Sequence, residues 1–450
     1  MHSFQVLPLA SVCFLASLGC SELPPGKPLI QQVKVTAPTT TPATTPSRDI
    51  RSDSQWPGWR GPDGAGHSDE TGLPVAWDAK NVVWTTQLKG RGQSSPIAWQ
   101  DRIFLTTATE RGARREVVCI DRKNGHVLWE RVAWTGEPEG IHSMNSWASP
   151  TCATDGQRVV ACFGNGGLHC YDLNGNILWS RDLGRFENAN WGFGSSPIIV
   201  ENLVIQACDA DNDAFLVAID KQSGAEVWRT PRPKSRSFST PLLINTGARR
   251  ELVINGHSGM RSYDPSTGKE LWFCTGGSGR GTPTVVTGRG LVIVLSGRTR
   301  GDGDLMAFRP GGSGDVTVTH NAWHVRRGGR DLPSPIVVDD FLIVANLRTG
   351  IGSCYDVTTG KLHWKNRLHG RFSASPIETG GLVYILSESG ETIVIKPDRE
   401  YREVARSRLN AEDDEVFRTS LMPYAGHIFC RSDKRLYCIG NGTSAKQSGE

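Results

Sequence analysis

The chain has 450 residues, of which 38% are apolar and 21% are charged, and its formal net charge is +4 at pH 7. This balance fits a soluble globular protein and excludes a helical membrane bundle, and so small a net charge gives no global sign of nucleic-acid binding. The 51 Gly and 14 Trp residues indicate short strands with many tight turns and large apolar anchors.

The N-terminal segment predicts export. Its apolar run, residues 4–18, is too short for a stable transmembrane helix and fits the core of a signal peptide, which we place at 1–20. The run ends in "SLGC", which resembles the processing site of a bacterial lipoprotein with Cys20 as the lipid-bearing residue. We therefore expect a periplasmic or outer-membrane-associated protein that meets the membrane through a lipid anchor only.

Residues 21–55 contain the Pro/Thr tract "APTTTPATTPS" and too few apolar residues to fold. They are predicted to form a flexible linker, and residues 441–450 a disordered tail. Residues 56–77, called the prelude below, are too rich in Gly and Pro for a regular sheet. Trp56, Trp59 and Trp77 of the prelude are expected to clamp it onto the wall of the domain that follows.

Two signatures alternate through the rest of the chain. A step of Ser or Thr followed by Pro recurs at Pro96, Pro150, Pro197, Pro241, Pro283, Pro335 and Pro376, with a weaker copy at Pro423. Between the steps lie units such as "CIDRKNGHVLW", "AIDKQSGAEVW" and "CYDVTTGKLHW". Each unit reads as four short strands, and a four-strand period of about 40–45 residues with a Trp is typical of a propeller blade. The fold class predicted is all-β, an eight-bladed β-propeller with four-stranded antiparallel blades, over residues 56–440.

Closure of the ring is predicted from its two ends. The eighth unit has three strands and no Trp strand, whereas "NVVWTTQL" before the first unit is an orphan strand. If this N-terminal strand completes the last blade, the ring has no open edge. The Trp residues expected to dock between neighbouring blades are Trp84, Trp129, Trp179, Trp228, Trp272, Trp323 and Trp364.

The cysteines are interpreted as packing residues. Cys119, Cys170, Cys354 and Cys438 occupy a third-strand position that other units fill with Ala or Ser, so a small buried side chain is expected there. Two pairs eight residues apart, Cys162 with Cys170 and Cys430 with Cys438, leave a cross-strand disulfide open. A metal site at these cysteines is not predicted, because the positions belong to different blades.

The repeated units resemble the tryptophan-docking motifs of PQQ-like, quinoprotein-type propellers. That superfamily includes PQQ-dependent alcohol dehydrogenases and the non-catalytic outer-membrane assembly lipoprotein BamB, and the prelude resembles exported PQQ-like repeat proteins of planctomycete-type bacteria. The dehydrogenase resemblance implies PQQ, a calcium ion held by acid and amide side chains, a catalytic Asp and adjacent cysteines. This chain has no adjacent cysteines. The acids of "CDADNDAF", Asp209, Asp211 and Asp213, are the candidate cation ligands, with a solvated turn as the alternative.

One further position recurs before the blades. The residue five before the Pro of the step is Arg in five of eight units, at Arg91, Arg236, Arg330, Arg371 and Arg418. These loops are expected to open at one mouth of the central channel, where clustered guanidinium groups need negative partners. Either nearby acids neutralise them or an anionic ligand does. His142, Asn145, Trp191 and Phe193, in two of the three loops that lack Arg at this position, are candidates for the amide and aromatic contacts of such a pocket.

The sequence thus predicts an exported propeller that binds rather than catalyses, with no resident cofactor. Its partner is expected to be an envelope protein or an anionic ligand, such as a peptide or an acidic glycan, and not nucleic acid. The alternative is a divergent PQQ-dependent oxidoreductase with PQQ and calcium near the arginines.

Overall fold

The computed structural model describes residues 55–276, 281–296, 303–329 and 332–441. The predicted signal peptide and the predicted linker up to residue 54, with Cys20, lie outside these ranges, as do Arg330 and the residues after 441. Within them the regular secondary structure is almost entirely β-strand, with three single-turn 3₁₀ helices at Ala79–Asn81, Glu110–Gly112 and Gly164–Gly166. Over the same ranges, no helix has the length and apolar character that a membrane span requires.

The first half of the described chain contains eighteen strands. They are β1 (His67–Ser68), β2 (Val82–Gln87), β3 (Ile97–Trp99), β4 (Arg102–Thr109), β5 (Arg114–Asp121), β6 (Val127–Thr135), β7 (Ala153–Thr154), β8 (Arg158–Cys162), β9 (Leu168–Asp172), β10 (Ile177–Arg181), β11 (Ile198–Val200), β12 (Leu203–Asp209), β13 (Ala214–Asp220), β14 (Glu226–Pro231), β15 (Leu242–Asn245), β16 (Arg250–Gly256), β17 (Gly259–Tyr263) and β18 (Glu270–Thr275).

The second half contains sixteen. They are β19 (Val286–Gly288), β20 (Leu291–Leu295), β21 (Gly303–Phe308), β22 (Gly314–Asp315), β23 (Asn321–Gly329), β24 (Ile336–Val338), β25 (Phe341–Ala345), β26 (Ile351–Asp356), β27 (Leu362–Arg367), β28 (Ile377–Thr379), β29 (Leu382–Leu386), β30 (Glu391–Ile395), β31 (Glu403–Arg408), β32 (Met422–Tyr424), β33 (His427–Arg431) and β34 (Arg435–Ile439).

These strands form eight sheets, so the eight-bladed propeller predicted from the sequence is confirmed. Blades 1 to 4 are β3 to β6, β7 to β10, β11 to β14 and β15 to β18. Blades 5 to 7 are β19-β20-β21-β23, β24 to β27 and β28 to β31. Blade 8 has the order β32-β33-β34-β2, so the N-terminal strand completes the last blade, again as predicted. Two short additions were not expected: β22 pairs in parallel with β18, and β1 with β28.

The pairing register explains the small third-strand position. In blades 1, 2, 6 and 8 a Cys lies directly opposite the Trp of the outer strand, for example Cys119 opposite Trp129. Ala218, Ser262 and Ala307 occupy the same place in blades 3, 4 and 5. A small side chain here leaves room for the indole, which leans toward the next blade.

In blades 1, 2, 3, 4 and 6, the Gly of the last hairpin turn receives the indole of the preceding blade. Trp129 donates its Nε1–H to the carbonyl of Leu173 in blade 2 (3.0 Å), and a Cβ on Gly175 would lie 2.7 Å from the Trp129 ring. Gly175 also has a φ of +81°, so both the turn and the close approach require glycine. The repeated turn-and-Trp motif therefore encodes contact between blades rather than structure within one blade.

All nine cysteines of the described region are free and buried. Neither candidate disulfide can form in this register. Cys170 lies opposite Val160, two residues from Cys162, and Cys438 lies opposite Phe429, which places Cys430 on the other face of the sheet. The expectation of buried packing residues holds, and the open disulfide alternative is wrong.

The prelude enters the central channel. Trp56 bridges Ala98 of β3, Thr154 N–H donates to the Pro57 carbonyl, and β1 runs beside β28, so the prelude touches the first strands of blades 1, 2 and 7. Trp77 leaves the channel and stacks on Tyr384 with ring centroids 6.4 Å apart. The prelude therefore fills part of the axis before it reaches β2, instead of only lining the outer wall.

Candidate functional site

A closed ring of hydroxyl groups surrounds the channel axis where the first strands begin. The backbone N–H of one ring residue donates to the side-chain oxygen of the next, at 2.9–3.2 Å, through all eight blades. The order is Ser95 to Thr151, Ser196, Thr240, Thr284, Ser334, Ser375, Ser420 and back to Ser95. Each blade is thereby tied to the next by one backbone donor and one hydroxyl acceptor.

The ring residues occupy equivalent positions in the eight blades and so align the blades structurally. This alignment differs from the one that the prolines of the Ser/Thr-Pro steps give. Thr151 and Thr284 follow the prolines of their blades, and Ser420 precedes Leu421, so Pro423 lies two positions late. Arg91, Arg236 and Arg371 each lie four residues before a ring member, whereas Arg418 lies two before Ser420. Of the described arginines, Arg418 is therefore not structurally equivalent to the other three.

A cavity of about 250 Å³ lies against this ring, at the end of the channel called the mouth here. Seven ring hydroxyl residues line it, together with a second layer two residues earlier in each blade. This second layer consists of Gln93, Ser149, Gly194, Phe238, Thr282, Leu332, Ser373 and Arg418. The lining is thus mostly hydroxyl and amide groups, with single aromatic and aliphatic side chains.

Trp59 of the prelude also lines this cavity. The adjoining Arg60 is fully buried and donates from Nη2 to the carbonyls of Pro335 (2.8 Å) and Pro376 (3.3 Å), each of which directly follows a ring residue. Burial lowers the pKa of Arg60 to about 10, so the guanidinium keeps its charge at neutral pH. The prelude therefore closes the channel beneath the ring and places a cation there.

Two loops meet above the cavity. The rings of His142 and Trp191 stack with centroids 4.2 Å apart, and Asn145 donates from Nδ2 to the Trp191 carbonyl at 2.6 Å. Met144 in the same loop lies 4.0 Å from Nη2 of Arg371, across the mouth. Three of the aromatic and amide residues predicted from the sequence, His142, Asn145 and Trp191, are thus brought together in the lining.

Phe193 lies elsewhere. It faces a separate cleft of about 430 Å³ between blades 2 and 3, beside Phe186 and Asn188. The loop between Asn188 and Phe193 separates this cleft from the central cavity, since Trp191 lines only the latter.

Each predicted arginine that the structure describes has a carboxylate partner. Arg91 contacts Asp433 at 3.8 Å, and Arg236 pairs with Asp211. Arg371 and Arg418 share Glu388, at 3.4 and 3.2 Å, so one carboxylate serves two guanidinium groups. Arg418 is the one member of this described set that lines the central cavity.

Two of the three acids of the "CDADNDAF" turn are engaged in ion pairs. Asp209 accepts from Nε and Nη2 of buried Arg232 at 2.7 and 3.0 Å, and Asp211 is bound to Arg236. No group of three or more His, Cys, Asp or Glu side chains in the described ranges could hold a metal ion. The described lining of the central cavity includes amides but no carboxylate. It does not fit a calcium ion held by acid and amide side chains, so we derive no step through PQQ and calcium.

The fold and the repeated motifs define a PQQ-like β-propeller. Comparison with known families narrows this class: the family described as outer membrane protein assembly factor BamB matches residues 67–212, 212–351 and 319–423. The chain belongs to this family.

Curated relatives agree. The chain is 24% identical over 343 residues to the outer membrane protein assembly factor BamB of Burkholderia pseudomallei, covering 70% of this chain and 79% of that protein. It is 28% identical over 185 residues to the same factor of Moranella endobia, covering 40% of this chain and 42% of that protein.

Solved structures share the fold. BamB from Moraxella catarrhalis superposes with a TM-score of 0.56 at 17% identity, covering 82% of this chain and 98% of that one. A europium-containing methanol dehydrogenase superposes with a TM-score of 0.64 at 10% identity, covering 86% and 98%. At such identities the likeness concerns the fold alone, and one architecture is shared by an assembly factor and a dehydrogenase.

Proposed function

We propose that this chain is a non-catalytic, exported propeller that binds a partner in the cell envelope, as a module of outer-membrane protein assembly. The observation that carries the proposal is the family match across residues 67–423, together with a curated relative named as an assembly factor that aligns with 70% of the chain. The partner is an envelope protein that presents carboxylate groups.

The mouth face supplies the surface for this partner. The side chains of Arg91 and Arg371 are 75% and 55% exposed, and their carboxylate contacts, at 3.8 and 3.4 Å, are long. Exposed ion pairs of this kind contribute about 0–1 kcal/mol, so a partner carboxylate can replace the internal one at little cost. Because Arg371 and Arg418 share Glu388, this cluster carries one excess positive charge that an anionic partner can contact.

Charge reversal tests this surface. In an Arg91→Glu/Arg371→Glu variant, we expect capture of envelope partners to fall about tenfold or more and to lose its dependence on salt. The melting temperature should change little, because both side chains are exposed. Site-specific cross-linking in envelope extract, followed by mass spectrometry, measures the capture.

Arg289→Glu is the matched control. Arg289 pairs with Asp340 at 2.6 Å and is 44% exposed, but it lies in the turn after β19, at the end of the channel opposite the mouth. The control should capture the same partners as the unmodified protein. If the double variant captures partners normally, the mouth is not the surface. If it unfolds instead, the arginines form a structural ion network.

We further propose that a lipid on Cys20 holds the propeller at the outer membrane, with the Pro/Thr linker as its tether. Support comes from the "SLGC" site and from the length of polar chain that precedes the prelude. Cys20→Ala should move the mature protein from the membrane fraction to the soluble periplasmic fraction, as followed by fractionation and immunoblotting. Cys13→Ala is the control and should leave the distribution unchanged. A Cys20→Ala protein that stays with the membrane fraction would rule out the anchor.

A further inference from the structure

We infer that the central cavity is a binding site for a small oxyanion, a molecule with carboxylate or phosphate oxygens that accept hydrogen bonds from the hydroxyl ring. This site is distinct from the partner surface proposed above and does not depend on it. The inference rests on the unused donors of the ring, the charge around the cavity and the enclosure of the site.

The ring provides donors that the protein does not use. Each ring oxygen accepts one backbone N–H and still carries its own proton. Among the described residues, seven of the eight hydroxyls have no acceptor for that proton: Ser95, Thr151, Ser196, Thr240, Ser334, Ser375 and Ser420. The same seven residues line the cavity. The eighth, Thr284, donates to the Thr240 carbonyl at 3.2 Å and is not part of the lining.

All seven residues are at most 7% exposed. A buried hydroxyl normally finds an acceptor for its proton, because leaving it unpaired forfeits a hydrogen bond. Seven such protons around one axis therefore favour an occupant with several acceptor oxygens and few donors.

The charges near the cavity select an anion among such occupants. Arg348 and Arg418 line the cavity, and no Asp or Glu does so among the residues described. Arg60 lies just below, next to Trp59, with Nε and Nη1 unpartnered in the described structure. Two guanidinium groups that line a partly enclosed volume, with a third just below it, give a positive potential that water screens only weakly.

Size and shape limit the body that carries the oxyanion. The cavity holds about 250 Å³, with Trp59 on the prelude side and the stacked His142 and Trp191 at the mouth. A compact organic acid or a phosphate ester fits these dimensions, whereas a folded partner domain does not.

Titration with simple probes tests the site. Citrate and inorganic phosphate are titrated separately into the full propeller at constant ionic strength set by chloride, with calorimetry and intrinsic tryptophan fluorescence, to which Trp59 and Trp191 contribute, as readouts. We expect saturable binding of at least one probe and a rise in the melting temperature with probe concentration, since a ligand that binds only the folded state stabilises it. Preference for citrate would indicate a carboxylate ligand, and preference for phosphate a phosphate ester. If neither probe saturates, the ring is only hydrated and the inference is wrong.

Two ring threonines give a matched pair of variants. Thr240→Val and Thr284→Val each remove one hydroxyl acceptor between blades, but only Thr240→Val removes a donor that lines the cavity. Thr240→Val should weaken binding about fivefold, the effect of one lost hydrogen bond, while Thr284→Val stays within about twofold of the unmodified protein. Equal affinities for the two variants would overturn the role of the ring.

Arg418→Gln keeps the inference testable if a ring variant fails to fold. It leaves all eight ring links in place and removes one lining cation, so binding should weaken about tenfold or more and lose part of its salt dependence. Unchanged affinity in Arg418→Gln would show that the cavity does not select for negative charge. Partner capture by this variant, measured as above, reports separately on the mouth surface.

Discussion

Two sets of contacts join neighbouring blades: the hydroxyl ring at the channel axis, called the inner belt, and the Trp contacts of the outer strands, called the outer belt. They differ in how regularly they repeat from blade to blade. The inner belt, the hydroxyl ring, is complete in all eight blades. In the outer belt, Trp84, Trp129, Trp179, Trp323 and Trp364 each donate to a carbonyl of the following blade, at 2.8–3.1 Å. Trp272 instead donates to Glu251 within its own blade, and Trp228 Nε1 has no partner in the described residues.

The exception at Trp272 has a structural cause. Blade 5 lacks the regular turn that would receive this indole, and its third and fourth strands are joined by residues 309–320, which carry β22 to the edge of β18. Trp272 is then fully buried, and Glu251 Oε2 accepts its N–H at 2.6 Å. A side-chain contact on the rim can be replaced by another local contact. In the hydroxyl ring each donor is a backbone N–H where a first strand begins, so a missing hydroxyl acceptor cannot be replaced by a different side-chain contact.

The largest expected effect lies in the outer belt. Trp272→Ala should lower the free energy of unfolding by about 4 kcal/mol, since it empties a fully buried site and removes the indole hydrogen bond to Glu251, which keeps its bonds from Arg249 and Ser262. Trp228→Ala should cost about 2 kcal/mol, because that side chain is only half-buried and its N–H is unpaired. Urea denaturation followed by circular dichroism gives both values. If the two substitutions cost the same free energy of unfolding, burial of the indole does not determine how much an outer-strand Trp stabilises the propeller.

A smaller effect is expected in the inner belt. Ser95→Ala removes the acceptor of the Ser420 N–H and should cost about 2 kcal/mol, the penalty for one buried unpaired donor. Thr151→Val removes the acceptor of the next link. It should lower the free energy of unfolding less in the Ser95→Ala protein than in the unmodified protein, since neighbouring hydrogen bonds polarise one another. Ser334→Ala, on the far side of the ring, is the control and should add to Ser95→Ala without interaction. Strict additivity of both pairs would show eight independent links rather than a cooperative ring.

The architecture could be predicted from the sequence because the repeat records contacts between blades. The turn Gly and the outer-strand Trp meet across a blade boundary, as Gly175 and Trp129 do, so their recurrence counts the blades. The orphan strand with Trp84 likewise has its partner, Cys438, at the other end of the chain.

The site was only partly predictable. Proline was a poor guide to register, because the hydroxyl acceptor fixes the position: Thr151 follows its proline, and Leu421 replaces one. His142 and Trp191 come together through loops that do not repeat, so only tertiary structure pairs them. The buried Arg60 has no pattern in sequence either, since an arginine in a Gly-rich segment is most often exposed.

The position of the prelude sets the order in which this molecule can be assembled. The segment that fills the axis is made first, and β34, which pairs with β2 to close the circle, is made last. As it folds, the protein therefore gathers its blades around the prelude. Contacts between such distant parts of the chain form slowly. Until β34 pairs with β2, the apolar faces of the blades are open to aggregation or to a chaperone.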